Sequence, residues 1–283
     1  MNLNYAAIII DIQHSRNSTE YERFLMQEKL YSIVNFVNSY YKNRILKTFE
    51  FSSGDSIQAL FTNVADAFVY YCFVRNLFYP YRIRCGIGFG PINKRIFERD
   101  YRSTNMVDGI AYHLASDALS DCKSEDYDIL LYSQDGQKDD MVNQIMHTLS
   151  VFSDDHTTTQ ADVYNFFNLL YPLEIIYESQ YVEEIADFII EKVQQNVISY
   201  NFDISILKEK IAMLLNEAKF EFSTRVKKSQ RTFYQVYPRK MNFFCASLIG
   251  VTRQNISKIR LSGRFDEMRK LENLALNYIK KEY

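Results

Sequence analysis

Apolar residues recur along this chain at two periods, and the change of period marks out its elements. Residues 5–11 (YAAIIID) are a short β-branched run of the kind a buried strand presents. Phe24, Leu25, Leu30, Ile33, Val34 and Val37 then repeat at helical spacing, behind a Thr19–Glu22 capping box. RILKTFEF reads as a second strand and Ser52-Ser53-Gly54 as a turn. DSIQALFT alternates as a half-buried third strand. NVADAFVYYCFVRNLF is a second helix, capped by Asn63. In YRIRCGIGFG, the fourth strand, Ile83, Cys85, Ile87 and Phe89 share one face; Arg82, Arg84, Gly86, Gly88 and Gly90 share the other.

The order βαββαβ predicts an α+β domain with a ferredoxin-like sheet, two helices on one face and strand order 4-1-3-2. MVDGIAYHLASDALSDC then predicts a short turn and a helix, and YDILLYS a fifth strand. From about 138 to 236 the pattern is almost all helical. Apolar stripes run through residues 182–197 and 204–222, a region expected to supply helix packing and oligomerisation. FFCASLIGVTRQNISKIRLSG, residues 243–263, predicts a helix to Ile249, a turn at Gly250-Val251 and a second helix capped by Thr252. That spacing is a helix-turn-helix pattern, with Ala246 small at the crossing and Ile256 and Ile259 as anchors. The expected domains are thus 1–135, 136–238 and 239–283.

Charge sharpens this division. The net charge of −2 conceals 14 Lys and Arg against 4 Asp and Glu from Arg225 onward. A basic end on an acidic body suits a polyanion partner, or simply a solvated helical surface. The second helix of the pair is expected to expose Thr252, Arg253, Gln254, Asn255, Ser257, Lys258 and Arg260 to double-stranded DNA. Arg can read guanine there, and Gln or Asn can read adenine. Arg225, Lys227, Lys228, Arg231, Arg239, Lys240, Arg264, Arg269 and Lys270 add surrounding positive charge. The four cysteines are far apart and form no CxxC pair, so free buried thiols are expected rather than zinc or a disulfide framework. With neither a signal-like segment nor an apolar run of spanning length, a cytoplasmic location and no membrane contact are expected.

In the predicted strand order, the end of the first strand lies beside the start of the third. Asp11 and Asp55 should therefore meet at one edge of the sheet. Two adjacent carboxylates repel unless a cation sits between them, and a hard divalent ion, Mg2+ or Mn2+, suits an all-oxygen pair completed by phosphate. The turn at Gln13–Ser15 precedes a helix, where free amides can hold a phosphate. Ile12, Gln13, Ser15, Arg16, Gly54 and Arg84 are the expected nucleotide contacts. Asp11 as an ordinary strand-end carboxylate and Asp55 as a turn residue remain alternatives.

IIIDIQHSR, SGDSIQALF, IRCGIGFGPI and DGIAYHLASDAL, in this order, resemble the SatD family of bacterial proteins, which end in a similar helix-turn-helix. The first three motifs also resemble, more weakly, class III nucleotide cyclases and other palm-type domains. In the cyclases, aspartates at the positions of Asp11 and Asp55 bind two metal ions. An Asn and an Arg one helical turn apart steady the nucleotide there, but YHLASDAL supplies neither, and no Arg occurs from Asn105 to Asp128. Arg84, Lys94, Arg95, Arg99 or a partner chain would have to replace that charge. The helix pair and its charge, taken with this resemblance, point to a DNA-binding regulator that senses a nucleoside triphosphate or cyclic nucleotide. The alternative is a nucleotidyl cyclase or related nucleotidyltransferase using Asp11 and Asp55. A homodimer is compatible with one motif reading each half-site.

Overall fold

A computed structural model describes residues 3–40, 42–53, 55–93, 108–173, 209, 212–213, 237 and 240–283. The residues divide into two compact units, Met1–Val151 with Leu274–Tyr283, and Phe152–Asn273.

The first unit is a mixed α+β domain. It runs β1 (Asn4–Ile12), a 3-10 turn (Ser15–Asn17), α1 (Glu20–Tyr40), β2 (Ile45–Ser53), β3 (Ser56–Phe61), α2 (Val64–Phe78) and β4 (Ile83–Pro91). There follow α3 (Ile110–Glu125), β5 (Ile129–Tyr132) and α4 (Gly136–Asp154). The sheet order is β2-β3-β1-β4-β5. Its first four strands are antiparallel neighbours in the expected order, and β5 joins β4 in parallel. Helix starts follow their local chemistry. The Thr19 amide donates to Glu22 Oε2 at 2.9 Å, and the Glu22 amide donates to Thr19 Oγ1 at 3.2 Å. Asn63 accepts from the Asp66 amide at 2.9 Å.

The sheet buries both faces, which departs from the two-helix, one-face expectation. Phe61 packs against Tyr70 of α2, with ring centroids 5.5 Å apart, and Phe49 stacks on the same ring at 4.0 Å. The neighbouring position, Leu60, points the other way into a cluster with Ala7, Ala111, Tyr112 and Ala115. Helix α3 therefore covers the second face. Glycines let it approach closely. A Cβ on Gly86 would fall 2.6 Å from the Leu119 nitrogen and inside contact distance of the Ala115 carbonyl. One on Gly88 would collide with the Ala111 carbonyl and the Ala115 amide.

Each outer strand is closed by an asparagine. Asn143 of α4 accepts from the Leu131 amide at 2.7 Å and donates to the Leu131 carbonyl at 3.0 Å. Asn38 of α1 accepts from the Phe49 amide at 3.0 Å and donates to the Phe49 carbonyl at 3.1 Å. One turn before Asn143, Asp139 accepts from the Ser133 amide at 2.6 Å and from the Tyr283 hydroxyl at 2.6 Å. Four helical residues rise about 6 Å and two strand residues about 6.6 Å, so Asp139 and Asn143 meet alternate amides of one strand.

In the second unit, α5 (Thr158–Leu170) opens on a Thr157–Gln160 capping box. Near its end come α6 (Met241–Ile249) and α7 (Arg253–Ser262), and α8 (Phe265–Glu282) begins here. The core contains Tyr164, Phe167, Tyr237 and Phe265. Within it Arg269 and Glu272 are both 1% exposed and pair at 3.5 Å. The apolar stripes expected across 182–197 and 204–222 lie outside the described residues, apart from isolated positions. Among the described residues no helix is long and apolar enough to cross a membrane.

Candidate functional site

The first candidate site stands at one end of the sheet. Asp11 is the register partner of Ser56 in β3 and of Arg84 in β4. The Ile12 amide donates to the Asp55 carbonyl at 3.2 Å, so the chain carrying Asp55 lies against the end of β1. Asp11 and Asp55 thus occupy neighbouring strand ends, and each carboxylate has its own partner. Asp11 pairs with Lys123 of α3, Nζ to Oδ2 2.6 Å. Asp55 accepts from the buried Ser15 hydroxyl at 2.5 Å.

The surrounding groups are tied together. Ile12 and Gln13 do not offer free amides for a phosphate, since the Gln13 amide donates to the Arg82 carbonyl at 2.9 Å. The Gln13 side chain donates to Asp128 Oδ1 at 2.9 Å and to the Ile83 carbonyl at 3.3 Å. Only the packed sheet reveals this, because Asp128 and Ile83 belong to distant segments. His14 adopts a left-handed conformation, φ 59°, and turns the chain into the 3-10 turn carrying Ser15. Arg84 points to the α3 side and its guanidinium binds Asp126 at 2.8 Å. Its Nε is buried with no partner among the described residues. Gly54, the Arg16 side chain, and Lys94, Arg95 and Arg99 lie outside the described residues.

Lys123 is the residue that sequence reasoning missed. The cyclase pattern puts an arginine one helical turn beyond an asparagine, whereas this lysine sits near the C-terminus of α3. A faint signal existed. Ala111, Ala115, Ala118, Leu119 and Cys122 are the buried side of α3, and Lys123 adjoins that side at the level where β1 ends.

The donor types suit a hard ion: a carboxylate on each of two neighbouring strand ends, with the Ser15 hydroxyl beside Asp55. Among the described residues no three His, Cys, Asp or Glu groups converge. For an ion held by Asp11 and Asp55, further ligands would have to come from water or phosphate oxygens. The Lys123 ammonium places positive charge at Asp11 and neutralises it.

The second candidate site is the helix pair. α6 ends at Gly250, which takes the left-handed conformation, φ 73°, with nothing within 4 Å of its missing Cβ. Glycine is favoured there by backbone conformation. Thr252 caps α7 by accepting from the Asn255 amide at 3.2 Å. Ile256 is buried, whereas Thr252, Arg253, Gln254, Asn255, Ser257 and Lys258 are exposed.

Two arginines depart from expectation. Arg260, expected on the exposed face, has a side chain only 13% exposed. It binds Asp266 at 2.5 Å, Asn242 at 3.0 Å and the Tyr237 carbonyl at 3.2 Å, and its guanidinium lies over Phe167. The stem packs inside while the Nε, Nη1 and Nη2 groups each find an acceptor, which offsets the cost of taking the guanidinium out of water. Arg269 is not part of the surrounding surface charge either: it is buried and bonded to Asn168 and the Tyr171 carbonyl at 2.5 and 2.7 Å. Lys240, Arg264 and Lys270 are exposed. The other basic residues named, Arg225, Lys227, Lys228, Arg231 and Arg239, lie outside the described residues.

Two solved structures of bacterial light-regulated adenylyl cyclases align with the chain. One is 16% identical, with a TM-score of 0.35, covering 46% of this chain and 76% of that one. The other is 12% identical, with a TM-score of 0.34, covering 46% and 43%. No curated protein matches the chain. The SatD family profile matches residues 5–213, ending ahead of the helix pair. As that match spans more than half of the 283 residues, including all but the first residue of the sheet and both aspartates, the chain belongs to the SatD family.

Proposed function

We propose that this protein is a DNA-binding regulator whose sheet unit senses a nucleotide together with Mg2+ or Mn2+. The observation that carries the reading is the outward face of α7. Arg253, Gln254, Asn255, Ser257 and Lys258 are exposed on a short helix whose inward Ile256 is fully buried. These are side chains able to contact base edges and phosphates, on a helix that enters after a three-residue turn. The exposed Lys240, Arg264 and Lys270 add backbone-contacting charge without sequence information.

The nucleotide half of the proposal draws on the sheet end. Asp11 and Asp55 supply the carboxylates, Ser15 a hydroxyl, and Lys123 and Arg84 positive charge. When bound, the ion would neutralise the carboxylates and bridge to phosphate oxygens. Fluorescence anisotropy with random and selected duplexes, over a salt series and with or without nucleotide and Mn2+, tests the whole reading. Binding should fall with rising salt at a slope of about 0.9 per phosphate contacted. Arg253→Ala or Gln254→Ala should relax sequence preference, and Lys240→Ala should weaken all sequences alike. A protein that binds no duplex at low salt is not a DNA-binding regulator.

Lys123 also favours a second reading, nucleotidyl transfer, because it supplies a cation near the two aspartates that could meet charge developing on a phosphate. Incubation with each nucleoside triphosphate and Mg2+ or Mn2+, followed by product analysis, distinguishes an enzyme from a sensor.

A further inference from the structure

The two cations flanking Asp11 are held very differently. Arg84 has a side chain 15% exposed and a guanidinium fixed by Asp126. Lys123 is 47% exposed, and its ammonium meets Asp11 Oδ2 at 2.6 Å from the end of a flexible stem. Asp55 is held by a neutral hydroxyl instead. Of these three groups Lys123 is therefore the one both charged and free to swing: lysine is a point charge on four rotatable carbons, with none of the fork geometry that locks arginine.

We propose that Lys123 is an exchangeable counter-ion: it neutralises Asp11 in the ligand-free protein and transfers to a nucleotide phosphate when a divalent ion takes its place at Asp11. This rests on the nucleotide reading above. The exchange follows from charge balance. An ammonium and a divalent ion repel if both stay on one carboxylate. A nucleoside triphosphate brings anionic oxygens to the same end of the sheet, within a side chain's reach of the displaced ammonium. An ion arriving alone must break the Asp11–Lys123 pair and leaves the ammonium with no new partner. A nucleotide arriving alone finds the ammonium engaged. Each ligand therefore prepares the site for the other, and the two affinities rise by one common factor.

Lys123→Met keeps the stem and deletes the charge, so the exchange predicts effects of opposite sign on the two ligands. Mn2+ binding to the protein alone, read by electron paramagnetic resonance, should tighten by about tenfold, because the competitor for Asp11 is gone. Binding of ATP, GTP, CTP or UTP in the presence of saturating Mn2+, read by calorimetry, should weaken by about tenfold, because a charge-assisted phosphate contact is gone. Lys123→Arg should restore nucleotide binding in part. Circular dichroism should show both variants folded, as the side chain is half exposed. If wild type binds a nucleotide with Mn2+ but Lys123→Met leaves Mn2+ affinity unchanged or weaker, the exchange is wrong and the nucleotide reading stands. If wild type binds none of the four with or without Mn2+, the nucleotide reading fails and takes the exchange with it.

Discussion

Cys85 and Cys122 are both buried, and the Cys122 thiol donates to the Cys85 carbonyl at 3.4 Å. Burial pushes the Cys122 thiol from 9.0 up to about 12, and burial raises Cys85 in the same direction. The folded state thus holds protons that the unfolded chain releases near pH 9. This contribution is complete below that value and is lost as the pH climbs toward the folded value. Urea midpoints should be flat from neutral pH to about 8.5, the free thiol's range, and fall above it; Cys122→Ala should reduce the slope. At the sheet end, Asp55→Asn keeps an oxygen for the Ser15 hydroxyl, so apo stability should change by less than about 1 kcal/mol. Nucleotide binding that needs Mn2+ should nevertheless disappear, and a nucleotide-induced melting shift equal to wild type would remove Asp55 from the site. The adjacency of Asp11 and Asp55 was legible because it follows from strand order alone. The reach of Lys123 was not, since it depends on how low α3 sits on the sheet. The inward turn of Arg260 was equally hidden: its partners Tyr237, Asn242 and Asp266 come from three segments that only packing brings together.

The glycines of β4 set the depth of α3. At Gly86 and Gly88 backbone meets backbone, so an added methyl has no flexible neighbour to displace. Gly88→Ala should cost about 3 kcal/mol, the upper end of ordinary overpacking, read as a lower urea midpoint with unchanged slope. The alternation that put Gly86, Gly88 and Gly90 on one face was visible in the sequence. Its meaning was not, because a stripe of missing side chains can serve a ligand, a bulge or a close-packed helix equally well. Three helix starts, by contrast, were readable to the residue: Thr19 with Glu22, Asn63 and Thr252 each cap through contacts at most three positions away. Local chemistry of that range does not wait for the fold.

At the level of the whole molecule, charge and burial pull apart. The sequence counted Arg269 toward a basic surface, but the second unit keeps it in its core with Glu272, whose other oxygen accepts from the Tyr164 hydroxyl at 2.9 Å. Glu272→Ala would strand that guanidinium and should cost about 3–5 kcal/mol, whereas replacing both partners by apolar residues should cost far less. Thermal melts of the single and double variants check this. The overall α+β layout was legible because the period of the apolar pattern changes at each element, while residue order cannot announce a buried charge. The two asparagines at the rims of the sheet bear on the behaviour of many copies together. Asn38 and Asn143 present to Phe49 and Leu131 the donor and acceptor that another strand would bring. A second molecule seeking to extend the sheet must first evict an amide already in place. Fibril growth by strand addition therefore lacks a template at these two positions, where a bare rim would offer one.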